Sequence, residues 1–366
     1  MKNNLKLFFV CILSAMSLTM SAAPALRRAV SVTDADGITR VLYTHGDEAC
    51  HYLTDDSGVR YQLVADAHGQ RVVPFVESEN SRRRAFARSF HAANARRRVN
   101  ATAEVAQGKS AYRVTPANIL VVLAEFKDVQ FQAENTRSVY TDYFNASDYT
   151  GNGATGSVRR YFSDQSYGQY APEFDVVGPV ALPGGYSYYG DNDEYGDDLR
   201  AELMVYQVCK AAAEQNTIDF SRYDADGDGY VDAVIVVYAG KGEADSQIAN
   251  AVWPHTGSLE MADVDELVLG GKTLDTYICV PELSYKKALA GIGTVCHEFA
   301  HVLGLPNVCT TNGDDFKTWG DWDVMDHGSY NNEGRTPPAF SAYERFFMGW
   351  IEPVLFNEPM NVALRE

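Results

Sequence analysis

Two histidines and a glutamate stand at a spacing that suits metal chemistry. Residues 292–307 read IGTVCHEFAHVLGLPN, and this stretch contains His297, Glu298 and His301. Residues four apart lie on one face of a helix, so the two imidazoles can bind one ion together. Imidazole nitrogen suits zinc, and catalytic zinc keeps one position open for water. Glu298 can take a proton from that water, so the stretch predicts the His-Glu-x-x-His site of a zinc protease.

The alternative interpretation is a buried amphipathic helix with two ordinary core histidines. Gly304 follows His301 by three residues, where the helix must stop and turn back, and glycine tolerates the left-handed backbone of such a turn. Pro306 then prevents the helix from resuming. The extended pattern therefore favours a metal site over the core helix.

Two further runs extend the pattern into a family resemblance. Residues 322–329 read WDVMDHGS, and residues 161–168 read YFSDQSYG. With the histidine stretch, these runs resemble the metzincin zinc proteases and, within them, the bacterial immune inhibitor A family, over roughly residues 115–352. The resemblance implies an α+β fold in which a small β-rich propeptide precedes a twisted mixed sheet with helices. It also implies a lower lobe after Gly304, with Met325 beneath the metal.

The resemblance places the third zinc ligand, a His or Asp in metzincins, at Asn307. A neutral amide oxygen is a poorer zinc ligand than a carboxylate or an imidazole. Either Asn307 ligates through its carbonyl oxygen, or another residue takes its place, or the site is impaired. His327 is the candidate replacement, because some metzincins place a tyrosine two residues after the Met-turn methionine. The weaker candidates are Asp314, Asp315, Asp326 and Glu344.

A second metal motif lies at residues 224–232, which read DADGDGYVD. Carboxylates at its first, third, fifth and ninth positions, with glycine at the sixth, match the first part of a calcium loop. The twelfth position is Ile235 instead of glutamate, so the EF-hand is incomplete. Four crowded carboxylates repel one another without a cation, which favours Ca²⁺ over a simple acidic turn. The predicted ligands are Asp224, Asp226, Asp228, Asp232 and the carbonyl of Tyr230.

The distribution of charge along the chain indicates which kinds of binding partner to exclude. The net charge is −18, and it divides into +6 for residues 1–113 and −24 for residues 114–366. A strongly acidic body argues against nucleic acid as a partner. The 46% hydrophobic content fits a globular protein with a real core.

The chain divides into four predicted segments. Residues 1–23 have the charged, apolar and small-residue layout of a secretory signal peptide. Residues 24–112 are predicted to be a propeptide, with a β meander over residues 32–73 and a basic linker. Arginine triplets in that linker, at residues 82–84 and 96–98, predict cleavage by an activating protease. The catalytic domain is predicted at residues 113–356, and residues 357–366 form a tail that could begin a further C-terminal region.

These observations combine into one predicted function. The protein is predicted to be a secreted, cell-surface or periplasmic zinc endopeptidase, with no integral membrane span once the signal peptide is removed. It would hydrolyse protein or peptide substrates, with Glu298 as general base. The alternative, motivated by Asn307, is a catalytically impaired binding or adhesion protein stabilised by zinc and calcium.

Overall fold

The computed structural model describes residues 23–26, 28–33, 37–47, 50–66, 69–75, 116–193, 198–246, 248–308 and 318–352. Most of the predicted signal peptide, the arginine-rich linker and the C-terminal tail lie outside these residues. Within them, no helix combines the length and the apolar character needed to cross a bilayer.

The first unit is a five-stranded antiparallel meander, as the alternation of apolar runs and turn residues predicts. Its strands lie side by side in chain order. Every second residue of the first strand is buried, which gives the sheet one apolar face. That face packs against Ala249 of the second unit. The strands are β1 (Ala29–Thr33), β2 (Thr39–Asp47), β3 (Cys50–Thr54), β4 (Arg60–Asp66) and β5 (Gly69–Pro74).

The second unit contains a five-stranded mixed sheet in the order β10-β13-β9-β6-β7, in which only β10 runs antiparallel to its neighbour. Strands β6 and β9 are continuous apolar runs that are buried on both faces, as central parallel strands require. A small sheet in the order β11-β12-β8 lies beside it. The strands are β6 (Asn118–Glu125), β7 (Glu173–Ala181), β8 (Tyr230–Val231), β9 (Val234–Lys241), β10 (His255–Ser258), β11 (Leu267–Leu269), β12 (Lys272–Leu274) and β13 (Thr276–Leu283).

Helices cover both faces of the mixed sheet, which confirms the predicted mixture of sheet and helix. Helix α4 packs on one face, whereas α1, α2 and α6 pack on the other. Phe299 of α6 meets the ring of Phe162 on α2 at 5.2 Å between ring centroids. The helices are α1 (Arg137–Asn145), α2 (Val158–Gln165), α3 (Tyr186–Tyr189), α4 (Ala201–Gln215), α5 (Glu243–Ser246), α6 (Ile292–Val302) and α7 (Ala342–Phe347).

Candidate active site

Helix α6 carries the two histidines and packs closely on the segment that follows Met325. A Cβ atom at Gly293 would lie 1.9 Å from the carbonyl oxygen of Ser329, so a larger residue would force the two backbones apart. His297 and Glu298 are fully buried, and His301 is nearly so. The first turns of the helix are therefore fixed by contact with residues more than thirty positions away.

The imidazoles of His297 and His301 converge at their Nε2 atoms, which lie 3.0 Å apart. The Nδ1 atom of His297 donates to the carbonyl oxygen of Val324 at 2.6 Å, and that of His301 donates to the carbonyl oxygen of Leu305 at 2.7 Å. A carbonyl only accepts, so each neutral ring carries its proton on Nδ1 and presents a lone pair at Nε2. Backbone acceptors of this kind orient metal-binding histidines.

This separation fits a shared zinc ion. Two tetrahedral ligands at about 2.0–2.1 Å from zinc stand about 3.3–3.4 Å apart, close to the distance between the two Nε2 atoms. Two lone pairs facing each other inside a protein also repel unless a cation lies between them. The donor set and its spacing therefore suit the metal that the sequence predicts.

The chain turns back after α6 as the sequence predicts. Gly304 has φ +99°, and the backbone N–H of Leu305 donates to the carbonyl of Ala300 at 3.0 Å. The N–H of Val308 then donates to the carbonyl of Met325, also at 3.0 Å. Asn307, between these contacts, is 4% exposed and lies beside the segment of Met325.

The other candidates for the third ligand lie in different surroundings. Among the described residues, no third His, Cys, Asp or Glu offers a ligand atom within 4.8 Å of both histidines, so the structure does not bring His327 to the pair.

The buried Asp326 accepts hydrogen bonds from the N–H groups of Gly320 and His327. Glu344 forms the capping box of α7 with Ser341. Asp314 and Asp315 lie outside the described residues, and ligation by Asn307 or His327 stays a prediction.

Glu298 is held at both carboxylate oxygens. Oε2 accepts a hydrogen bond from the hydroxyl of Thr256 on β10 at 2.8 Å. Oε1 accepts one from the backbone N–H of Ala23 at 2.6 Å. Burial raises the pKa of Glu298 well above its usual range, and these two hydrogen bonds oppose that shift. Nothing in the sequence marks Thr256, because a threonine in a short strand is ordinary.

The start of the first unit lies across this carboxylate. The indole N–H of Trp253 donates to the carbonyl of Ala23 at 3.2 Å, and the N–H of Leu26 donates to the carbonyl of Ala244 at 3.0 Å. The ring of His51 on β3 stacks on Trp253 at 4.5 Å between centroids. Residues 23–25 are buried, so this segment covers Glu298 from the side of β10.

The acidic loop brings three of its predicted ligands together. Asp224, Asp226 and Asp228 each offer an oxygen within 4.8 Å of the other two. Gly229, at the sixth position, has φ +95°, which matches the tight turn of a calcium loop. The ammonium of Lys272 lies 2.6 Å from Oδ2 of Asp224, a contact that sequence reasoning missed because Lys272 stands 48 residues downstream.

The remaining two loop residues are placed differently. Asp232 accepts a hydrogen bond from the N–H of Ala225 at 3.0 Å and does not join the group of three. Burial raises the pKa of Asp232 to about 6. The N–H of Tyr230 donates to Oδ1 of Asp228 at 2.8 Å as the chain enters β8. Ligation by Asp232 and by the carbonyl of Tyr230 stays a prediction.

Comparison with known proteins decides the family. The family described as "Immune inhibitor A peptidase M6, catalytic domain" matches residues 106–350. The chain belongs to the immune inhibitor A peptidase M6 family. This match covers both the histidine helix and the acidic loop, and it confirms the family resemblance read from the three sequence runs.

Two curated proteins are similar to this chain over part of its length. The "Pre-pro-metalloprotease PrtV" of Vibrio cholerae serotype O1 is 26% identical over 274 residues, which are 63% of this chain and 29% of that protein. The "Immune inhibitor A" of Bacillus thuringiensis subsp. alesti is 26% identical over 224 residues, 52% of this chain and 31% of that protein. The chain thus spans less than a third of the length of these curated relatives. Membership in a family of metallopeptidases agrees with the predicted enzyme class.

Proposed function

We propose that the chain is a secreted zinc-dependent endopeptidase that hydrolyses peptide bonds in protein substrates. The observation that carries the proposal is the pair of buried imidazoles whose Nε2 atoms converge at 3.0 Å, each oriented by a backbone carbonyl. Glu298 projects from the same helix and provides the base. The M6 family gives the proposal independent support.

The side chains divide the chemistry among them. Zinc held by His297 and His301, with the Asn307 oxygen as third ligand, would acidify a water and polarise the scissile carbonyl. Glu298 takes a proton from the attacking water on one carboxylate oxygen and then passes it to the leaving amine. Thr256 keeps the carboxylate in place through its hydroxyl. The substrate would lie extended along a sheet edge of the cleft.

The contacts of residues 23–26 support synthesis as a zymogen. A segment that covers Glu298 and hydrogen-bonds to its Oε1 atom prevents a substrate carbonyl from approaching that carboxylate. Residues 23–112 therefore serve as the propeptide, and an activating protease would cut the basic linker around residues 82–98. The signal peptide would direct the chain to export, and its cleavage after Ala22 would leave Ala23 in contact with Glu298.

The decisive experiment compares the activated wild type with Glu298→Gln. Glu298→Gln should keep its zinc, measured by elemental analysis, while casein hydrolysis falls by a factor of about 10²–10⁴. Glu173→Gln, which changes an exposed carboxylate with 57% of its side chain accessible, is the matched control. Equal hydrolysis by wild type and Glu298→Gln would disprove the role of the base. Zinc binding without hydrolysis in either protein would favour the binding or adhesion alternative, which the M6 match does not favour.

A second experiment tests whether the segment of residues 23–26 suppresses activity in the unprocessed chain. Trp253→Phe removes the hydrogen bond to the carbonyl of Ala23 but keeps an aromatic ring for His51. One hydrogen bond is worth about 1 kcal/mol, so basal casein hydrolysis before processing should rise about fivefold. Trp322→Phe is the control, because Trp322 is 85% exposed. Unchanged basal hydrolysis in Trp253→Phe would remove this contact from the latency mechanism.

We also propose that the acidic loop binds structural Ca²⁺. The three clustered carboxylates and the turn at Gly229 support this assignment. The loop leads into β8 and then β9, so a bound ion would fix the end of a central strand. Lys272 already supplies one positive charge to Asp224, which predicts a modest affinity for calcium.

A further inference from the structure

A cavity of about 220 Å³ lies beside the first turn of α6. Thr294 of α6 lines it, and Thr294 stands one turn before Glu298 on the same helix face. The cavity therefore lies about one helical turn from Glu298, where the side chain of a substrate residue near the scissile bond would lie. Its other walls come from α5, from the loop after β13 and from residues 330–334.

Three polar atoms at the cavity lining are buried without a hydrogen-bond partner among the described residues. They are Oδ1 of Asp245, the hydroxyl of Ser284 and the hydroxyl of Tyr330. Buried polar groups in native proteins are nearly always paired with protein or with water, so these three atoms can bind a polar group that fills the cavity. The second oxygen of Asp245 accepts the N–H of Tyr285 at 2.8 Å, which fixes the carboxylate at the wall.

Asp245 carries the main negative charge at the cavity. The other lining charges neutralise each other, because Lys286 lies 2.6 Å from Glu333, which also pairs with Arg335 at 3.0 Å. The ammonium of Lys241 donates to the carbonyl of Tyr285 at 2.7 Å. Burial raises the pKa of Asp245 to about 6, while the positive charges of Arg28 and Lys241 lower it.

The propeptide already places a basic group at this wall. The guanidinium carbon of Arg28 lies 4.5 Å from the ring centroid of Tyr285, and Leu26 lines the cavity itself. Arg28 thus stacks on the residue whose backbone N–H holds the carboxylate of Asp245. An arginine plane stacked on an aromatic ring beside a carboxylate is a favourable arrangement for guanidinium binding.

We propose that this cavity is a specificity subsite that receives an arginine or lysine side chain of the substrate next to the scissile bond. Asp245 supplies the opposite charge, and Tyr285 supplies a stacking surface. The hydroxyls of Ser284 and Tyr330 accept hydrogen bonds from a guanidinium, which favours arginine over lysine. This inference rests on the proposed endopeptidase function and names its substrate preference.

The test uses the full chain after activation and a set of peptides that differ at one position. Arginine, its neutral analogue citrulline, or leucine is placed in turn at each position flanking the cleaved bond, and kcat/KM is measured. The wild type should prefer arginine over citrulline by about 10–100-fold at one position. Within Asp245→Asn, the same ratio should fall to near one.

Two further variants distinguish direct binding of the substrate arginine by Asp245 from a nonspecific effect of negative charge near the cavity. Glu333→Gln also removes a carboxylate from this cavity, but one that is already paired, so it should change the ratio by less than about fivefold. Tyr285→Leu should lower the arginine preference through loss of stacking, and it provides the result if Asp245→Asn does not fold. A ratio that stays high in Asp245→Asn and Tyr285→Leu, or falls equally in Glu333→Gln, would overturn the proposal.

Casein hydrolysis by the same preparations distinguishes the two levels of inference. A wild type that hydrolyses casein but does not distinguish arginine from citrulline at any position keeps the proposed function and overturns the subsite. A wild type with full zinc content that hydrolyses neither casein nor any peptide disproves the endopeptidase function, and the subsite fails with it.

Discussion

The histidine helix and the acidic loop are both short motifs, but their surroundings fix them to different extents. Each histidine of α6 is oriented by a carbonyl outside the helix, that of Val324 or that of Leu305, and the helix itself is buried. The loop instead holds its carboxylates largely with its own backbone N–H groups, such as those of Asp228 and Gly229. The helix is thus a preorganised site, whereas the geometry of the loop depends on its own short turn.

The two regions also treat charge in opposite ways. Around α6, neutral imidazoles and buried carboxyl groups lie in a dry core, where ionisation is costly. In the loop, Asp226 and Asp228 are exposed, and Lys272 balances Asp224. Comparing them teaches that a motif match alone does not measure affinity, because the surrounding protein decides how much reorganisation binding requires.

The largest difference is expected when one proposed ligand is removed from each of the two regions. His301→Ala should reduce zinc content and lower casein hydrolysis by at least about 100-fold, because it leaves too few protein ligands to hold a catalytic zinc ion. Asp226→Asn, at an exposed position of the loop, should keep most of the activity. Elemental analysis and hydrolysis rates measure both effects. Equal losses of activity in the two variants would break the distinction between a catalytic and a structural site.

A pH experiment compares the loop with another buried carboxyl group, that of Glu344 on α7. Burial, with the adjacent Asp323, raises the pKa of Glu344 to about 8. The folded state therefore binds a proton that the unfolded state releases between about pH 4.5 and 8, and the free energy of unfolding falls as pH rises through this window. The slope is about 1.4 kcal/mol per pH unit for one proton. Glu344→Gln should flatten it in denaturant titrations at pH 5, 7 and 9.

Asp224 of the loop should contribute with the opposite sign, in denaturant titrations extended below about pH 4. Lys272 lowers the pKa of Asp224, so this carboxylate contributes stability above its usual pKa and loses it as the pH falls through the lowered value. Glu173→Gln, at an exposed carboxylate, is the control for both measurements. A pH slope that Glu344→Gln leaves unchanged would show that the proton belongs to another group.

The smallest effect is expected at the loop itself. Lys272→Met removes the cation beside Asp224, so the melting temperature without calcium should fall by a few degrees, or about 1 kcal/mol. Added Ca²⁺ should then stabilise Lys272→Met more than the wild type, since only the ion can offset the three carboxylates. Lys210→Met is a control on α4, and Mg²⁺ controls for ionic strength. Equal responses to Ca²⁺ and Mg²⁺ would exclude a specific calcium site.

The sequence by itself determined the features that depend on neighbours along the chain. The spacing of His297 and His301 follows from helical periodicity, and the turn at Gly304 follows from the backbone freedom of glycine. The β meander and the clustering of Asp224 with Asp226 and Asp228 are local in the same sense. These predictions succeeded because residue spacing fixes geometry within one element.

Only the tertiary structure decided which distant groups complete each site. Val324 is 27 residues from His297, Thr256 is 42 from Glu298, and Ala23 is 275 from Glu298. The cavity of Asp245 likewise joins α5, α6 and the loop after β13. Periodicity carries no information about such pairs, because packing of the sheet and helices, and not the order of residues, brings them together.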